Sequence, residues 1–402
     1  MGLPPTNVGR NTPYVTLDPA IAVRAYQHIR HALPGIGIHY AVKCQPDPTL
    51  CAALAAAGAD FEVASADEVA MLARIGVPTA GLVCSNPVKS ITDIRAQAAA
   101  GVTTYAFDSL EEIAKLAVAA PGADVIVRLA TRPAGSSVPS EGKFGVGLDT
   151  AAELMLAARA AGLQPAGIGF HVGSQCLDLA AWPQAIDDAA TVMRTLEEHR
   201  IRIRMLDIGG GFPATYAGPR PPDIEAYGEV IGRALADRLP YPVPRVIAEP
   251  GRAIAAAAGT MIATVIGTAQ RPGPDGSTRL WGHLDTGAFH GMVEALETGC
   301  GIAWPVTDSR RDTARHTWTL TGPSCDSQDT IVHGVDLSAG LRAGDRVMIG
   351  QAGAYTTAYS SGRFNGFSGP ALVIVGSDGE GGDRHDDDRA NNGSARQASP
   401  AA

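Results

Sequence analysis

At eight points in the sequence a polar side chain, or a run of glycines, directly follows a short apolar run. These are Lys43, Glu62, Asn86, Asp108, Arg128, His171, the run Gly209–Gly211, and Glu249 with Arg252. A lysine at the end of an apolar strand can lose basicity by desolvation and act as an amine nucleophile. Consecutive glycines after a strand let backbone N–H groups approach a phosphate. The run Asp207–Ile208–Gly209–Gly210–Gly211–Phe212–Pro213 lacks the later glycine of a dinucleotide fingerprint and the Lys-Ser/Thr of a nucleotide-phosphate loop. Arg252, in Glu249–Pro250–Gly251–Arg252, can grip phosphate as a charged fork. Glu249 can pair with a protonated ring nitrogen and make that ring an electron sink. His171 can stack on a planar ring, and Ser174 can donate to phosphate. Each has an ordinary structural reading: a surface lysine, a tight turn, an ion pair, a satisfied buried histidine. Together they describe a site for an anionic, aromatic, electron-accepting cofactor. His290 and Glu294 stand at helical i, i+4 spacing, but no third ligand accompanies them, so no metal is expected.

The elements that must position these groups are short and repetitive. Strands are expected at Ile36–Val42, Asp60–Val63, Gly81–Cys84, Thr103–Phe107, Asp124–Leu129, Gly167–Val172, Met205–Ile208 and Val246–Glu249. Most are followed by an Ala-rich helical stretch. The first runs Asp47–Gly58, and Ser65 with Glu68 forms a capping box at the start of another. Short apolar strands alternating with helices imply a parallel sheet, and eight such units imply an α/β fold of the (β/α)8 barrel type, with a doubly wound sheet as the alternative. Catalytic groups of such a barrel sit just past the strand ends, where these residues fall. After residue 258 the pattern changes to strands between turns: Thr260–Gly267, Arg279–Leu284, Thr317–Thr321, Arg346–Ile349 and Ala371–Val375. The expected division is a barrel over 19–257 and a β-domain over 258–376 that also takes in 1–18. The Gly-, Asp- and Asn-rich tail 377–402 is expected to be disordered.

Composition sets outer limits. The 402 residues carry a net charge of −9 and show no Lys/Arg cluster, which argues against a nucleic-acid partner. Abundant Gly and Ala fit tight βα turns, and equally fit a GC-rich genome. Six scattered cysteines with no CxxC pair suggest free thiols in a reducing compartment. The opening residues lack a basic start followed by an apolar block, so no secretory signal is expected. The longest apolar stretch, Ala253–Ala269, is too short for a membrane span and reads as a buried strand. A cytoplasmic protein without a membrane partner is expected.

These pieces resemble, in order and spacing, the fold-type III pyridoxal-phosphate decarboxylases. That alanine-racemase-like group contains eukaryotic-type ornithine decarboxylase. The resemblance covers about residues 12 to 376. It rests on Tyr40–Cys44, Phe61–Ser65, Lys143–Phe144–Gly145, the His171 segment, Gly209–Pro213 and Glu249–Arg252. It continues through Gly322–Asp329, Gly353–Ala354–Tyr355 and Phe364–Asn365–Gly366–Phe367. It implies pyridoxal 5′-phosphate as cofactor, held on Lys43 as a Schiff base, with His171 stacked on the ring and Glu249 at the ring nitrogen. It further implies Ser174, Gly210, Gly211, Gly251, Arg252 and Tyr355 at the phosphate, with Glu62 and Arg128 beside the ring. Cys325 and Asp326 would come from the partner subunit of a head-to-tail homodimer. There Cys325 would return the proton to Cα, and Asp326 would face the distal ammonium of a basic amino acid. Phe364 is expected to line the substrate site.

One stretch departs from the family pattern. Eukaryotic-type ornithine decarboxylases carry a Tyr-Asp pair after the segment matching Asp285–Thr286–Gly287. Leu296–Glu297–Thr298–Gly299 stands there instead, so either Glu297 reads the distal amine or that contact is absent. The expected reaction is decarboxylation of ornithine or lysine to the diamine and CO2, with arginine, a diaminopimelate-like acid or a modified diamine-bearing acid as alternatives. Asp326 stands where diaminopimelate decarboxylases usually have Glu, and alanine racemases lack the Gly-Pro-Ser-Cys-Asp motif. An inactive homologue that binds a regulator, as antizyme-inhibitor-like proteins do, is a reading of another class. Lys43, His171, Glu249, Arg252, Cys325 and Tyr355 are all kept, which speaks against it.

Overall fold

The structure is a computed structural model and describes residues 10–376, apart from 133, 134, 139–141, 274, 300 and 311. The expected tail at 377–402 lies outside the described residues.

Eight short strands form a closed parallel barrel. They are β1 (Gly37–Ala41), β2 (Asp60–Val63), β3 (Val83–Cys84), β4 (Thr104–Phe107), β5 (Asp124–Arg128), β6 (Gln164–Gly169), β7 (Met205–Asp207) and β8 (Arg245–Ala248). They pair in chain order, and Ile247 and Ala248 close the ring against Gly37 and Ile38. Their apolar character has two causes, visible on β5. Val125 and Val127 pack outward against the helices, while Ile126 between them joins Val83, Met205 and Ile247 in a separate buried cluster within the ring. Strands covered on both faces have no polar side to show.

Local chemistry sets where the intervening helices start and stop. The helix Pro48–Ala56 begins after Asp47, whose Oδ1 accepts from the Leu50 N–H at 2.9 Å, and ends before Gly58 at φ +90°. Ser65 caps the helix Ala66–Arg74 by accepting from the Glu68 N–H at 3.3 Å. Glu68 reaches back one residue further than a standard capping box, to the Ala64 N–H at 2.6 Å.

Most expected strands move by a residue or two, and some expectations change more. The segment expected at Gly167–Val172 starts three residues earlier, at Gln164, and ends at Gly169, because Phe170 and His171 already form the loop into the site. Ala253–Ala269 is not one strand: Arg252–Ala255 is a helical turn, Ala256–Ala258 a 3-10 turn, and only then does a strand run Gly259–Pro272. The strand Thr330–Ser338 also lies outside the expected set.

The second domain is a mostly antiparallel sheet of eight strands. Gly259–Pro272 is its spine, flanked by Thr278–Leu284 on one side and Arg346–Ile349 on the other. The N-terminal strand Tyr14–Leu17 pairs antiparallel with Gly259–Ile262 and parallel with Ala371–Ile374. The start of the chain is thereby sewn into the domain made by its end. No helix among the described residues is long and apolar enough to cross a membrane.

Candidate active site

A cavity of about 450 Å³ opens at the C-terminal ends of the barrel strands. Lys43, Glu62, Asn86, Arg128, His171, Ser174, Gly210, Gly211, Glu249, Gly251, Arg252 and Tyr355 all line it. The sequence named each of them separately; the barrel closes them into one space. Asp108 does not line it. It acts one step back, its Oδ2 accepting from the Gly145 N–H at 2.9 Å and fixing the loop that carries Lys143 and Phe144 to the rim.

Lys43 sits in the one-turn 3-10 helix after β1. Its side chain is 48% accessible from the cavity, and its Nζ lies 3.2 Å from Glu62 Oε2. Glu62 is buried, and its other oxygen accepts from Ser85 Oγ at 2.6 Å. The expected lowering of the Lys43 pKa does not occur in this state. Burial does lower it, but the negative charge of Glu62, with Tyr355 and Glu249, outweighs burial and raises it.

Glu249 is 5% exposed, and its Oε1 is a buried oxygen without a hydrogen-bond partner. Burial, then the nearby carboxyls of Asp207 and Glu62, pushes its pKa well above the usual carboxylate range. Asp207, hydrogen-bonded to Glu249 and to the Gly209 N–H (2.8 Å), rises to about 6, chiefly through burial. The two carboxyls therefore hold a proton between them near neutrality.

His171 is kept neutral. Burial, then the positive charges of Arg128 and Lys43, drives its pKa well below 6.5. Its Nδ1 accepts from the Gly210 N–H at 3.1 Å, which places the ring proton on Nε2. The Gly210 N–H, read from the sequence as a phosphate donor, is thus spent on the histidine. Only glycine fits here: a Cβ on Gly210 would lie 2.7 Å from the Glu249 carbonyl oxygen, and one on Gly211 2.5 Å from that of Gly173.

Arg252 also differs from the simple fork. Its guanidinium is 3% exposed and pairs bidentately with Glu294, which is 5% exposed and comes from the β-domain. Its Nε and Nη2 donate to Ser174 Oγ, and its guanidinium carbon lies 4.9 Å from the centre of the Tyr355 ring. Sequence reading weighed Glu294 only as the partner of His290 in a metal pair it did not expect, and missed its pairing with Arg252 across 42 residues. His290 in fact bonds the Phe364 carbonyl oxygen at 3.0 Å. Among the described residues no group of three or more His, Cys, Asp or Glu is placed to hold a metal.

Four expected residues lie outside the cavity of their own chain. Cys325 and Asp326 are exposed on the turn Gly322–Asp329. Phe364 stacks near Phe289, with ring centres 4.5 Å apart, and Glu297 accepts from the Tyr359 hydroxyl. Asn365 ties two of these regions together: its Oδ1 accepts from the Cys325 N–H at 3.1 Å, with Cys325 Sγ at 3.5 Å.

Residues 20–256 match the family described as "Pyridoxal-dependent decarboxylase, pyridoxal binding domain". The chain belongs to the pyridoxal-dependent decarboxylases. A lysine/ornithine decarboxylase of Selenomonas ruminantium is 36% identical over 359 residues, 89% of this chain and 88% of that one. Antizyme inhibitor 2 of Xenopus laevis is 32% identical, over 88% of this chain and 79% of that one. The crystal structure of SrLDC in complex with PLP and cadaverine aligns with a TM-score of 0.82 at 34% identity, covering 92% of this chain and 91% of that one.

The cofactor of this decarboxylase is pyridoxal phosphate, and the cavity fits it. An amine stands ready at Lys43. The unpaired buried oxygen of Glu249 suits a protonated ring nitrogen. A neutral imidazole at His171 offers a flat face. Arg128 adds a cation to the wall of the cavity.

Proposed function

We propose that this decarboxylase converts a basic L-amino acid, ornithine or lysine, to the diamine and CO2, in active sites shared across a homodimer. The observation that carries the reading is the orphaned oxygen of Glu249 in the same cavity as the Lys43 amine. A buried acceptor without a partner is costly unless a ligand completes it.

When bound, pyridoxal phosphate supplies an electron-withdrawing ring that accepts the electron pair left behind by departing CO2. The chain's own groups do the rest. Lys43 Nζ, beside Glu62 in the cavity, would hold the cofactor. Glu249 retains the proton at the ring nitrogen, where Asp207 shares its charge. His171 packs on the ring face, its orientation fixed by Gly210. Ser174 gives its hydroxyl proton to the phosphate, while Arg252, Gly211, Gly251 and Tyr355 shape that end of the cavity. Glu62 and Arg128 flank the reacting amine. The partner subunit's Cys325 returns a proton to Cα, and the partner subunit's Asp326 takes the distal ammonium. Phe364 and Glu297 border the route to the substrate site.

The exposure of Cys325 and Asp326 supports the shared site, since neither reaches the cavity of its own chain. The test is CO2 and amine release by the cofactor-loaded protein from ornithine, lysine, arginine, diaminopimelate and N-modified analogues. Release of putrescine or cadaverine above the other products is expected. No release from any of them, with the visible band of lysine-bound cofactor intact, contradicts the substrate. The likeness to an antizyme inhibitor favours a second reading, a binding protein without turnover. That reading requires the visible band to be absent after cofactor loading.

A further inference from the structure

The guanidinium of Arg252 has five N–H donors, and the protein uses all of them. Nε and Nη2 reach Ser174 Oγ at 3.3 and 3.1 Å. Nη1 reaches the Tyr216 hydroxyl at 2.9 Å and Glu294 Oε2 at 2.8 Å, and Nη2 also donates to Glu294 Oε1. Glu294 lies in the short helix Glu294–Glu297 of the β-domain, whereas Arg252 follows the last barrel strand. Glu294 thus occupies, from across the domain boundary, the paired face of the guanidinium that best matches an oxyanion. Ser174 Oγ accepts twice from Arg252 and keeps its own proton to give away. An anion in the cavity meets Arg252 only along the edge that Ser174 covers.

Building on the reading that this end of the cavity takes the cofactor's phosphate, we infer that Glu294 is a positioning residue that competes with the phosphate for Arg252 and limits how tightly it is held. Carboxylate and phosphate seek the same charge and the same geometry. A built-in carboxylate satisfies Arg252 without ligand, so the phosphate gains less by arriving. Removing that charge leaves a buried guanidinium unpaired, and a dianionic phosphate then relieves it on binding.

The test compares affinity for pyridoxal phosphate with affinity for unphosphorylated pyridoxal, measured on the full chain from its visible absorbance. The ratio of the two isolates the phosphate. Glu294→Gln keeps an acceptor but removes the charge. It is expected to raise the preference for the phosphorylated form about tenfold. Inorganic phosphate should also raise the Tm of this variant more than that of the unaltered protein. Glu294→Asp withdraws the charge by one methylene and should raise the preference about threefold; it serves if the Gln variant does not fold. A purely structural role would weaken both ligands alike, and an unchanged or lower ratio in either variant overturns the inference. Ser174→Ala separates the two claims. It should lower the ratio; if it does not, the placement of the phosphate falls. If it does while the Glu294 variants leave the ratio unmoved, only the role of Glu294 falls.

Discussion

The barrel cavity and the Gly322–Asp329 turn of the β-domain both present polar side chains, but they are built in opposite ways. In the cavity the functional groups are hemmed in: Glu62, Glu249 and Arg252 are all under 6% exposed, and each is held by named partners or by its burial. On the turn, Cys325 through Gln328 are exposed. Its backbone is nonetheless tied down. Buried Asp329 accepts from the Ala288 N–H at 2.7 Å and the Ser324 N–H at 3.0 Å, and Gly322 and Gly287 leave it the room to do so. The cavity sets its chemistry through desolvation, whereas the turn has fixed backbone and unfinished surroundings. A group that needs a low-dielectric setting to work, displayed on an ordered turn, calls for a second surface to cover it.

The predictions probe each half in turn. Lys43→Ala should lower turnover by more than about 10⁴-fold and remove the visible band of bound cofactor. Retained turnover would take Lys43 out of the chemistry. Glu249→Gln should leave the band and lower kcat by about 10²- to 10³-fold, because an amide cannot hold charge at the ring nitrogen. An effect on cofactor affinity alone would reduce Glu249 to a binding residue. Cys325→Ala, on the exposed half, should leave cofactor affinity unchanged and slow or misdirect protonation, with a loss of about 10- to 100-fold. Unchanged rate and product would detach the turn from the reaction.

The smallest effect concerns stability near the cavity. Burial, then the charge of Glu62, raises Glu68 from 4.5 to about 7. The unfolded chain gives up that proton first, so folding loses stability as the pH rises from about 4.5 to 7, and the loss is complete above that. Glu68→Gln removes the penalty and can keep the bond from the Ala64 N–H. Relative to the unaltered protein it should gain about 1–2 kcal/mol between pH 5 and pH 8.5, measured by denaturant unfolding. A difference that does not vary with pH would show that Glu68 is ionised throughout.

How far the sequence discloses the site depends on how local each contact is. Lys43, Glu249 and His171 follow apolar strands directly, so the barrel rule alone places them at the mouth. The raised pKa of Lys43 was hidden, because Glu62 stands on a neighbouring strand whose register the sequence does not print. Glu294 and Tyr216 were hidden for the same reason: they meet Arg252 from 42 and 36 residues away, and nothing in their own neighbourhoods signals it. The strand Thr330–Ser338 escaped because His333 and Gly334, the latter at φ +72°, split its apolar residues into two short pieces. Composition and periodicity report an element's covering, whereas long-range ion pairs need the fold.

The most direct test of a site made from both halves is complementation between two variants that damage one half each. Lys43→Ala and Cys325→Ala subunits are mixed under conditions where exchange is verified, and turnover is followed. Each mixed dimer would hold one intact site, so recovery should approach about a quarter of full activity. No recovery despite proven exchange would mean that Lys43 and Cys325 do not meet across an interface, and the two-halves account would fall.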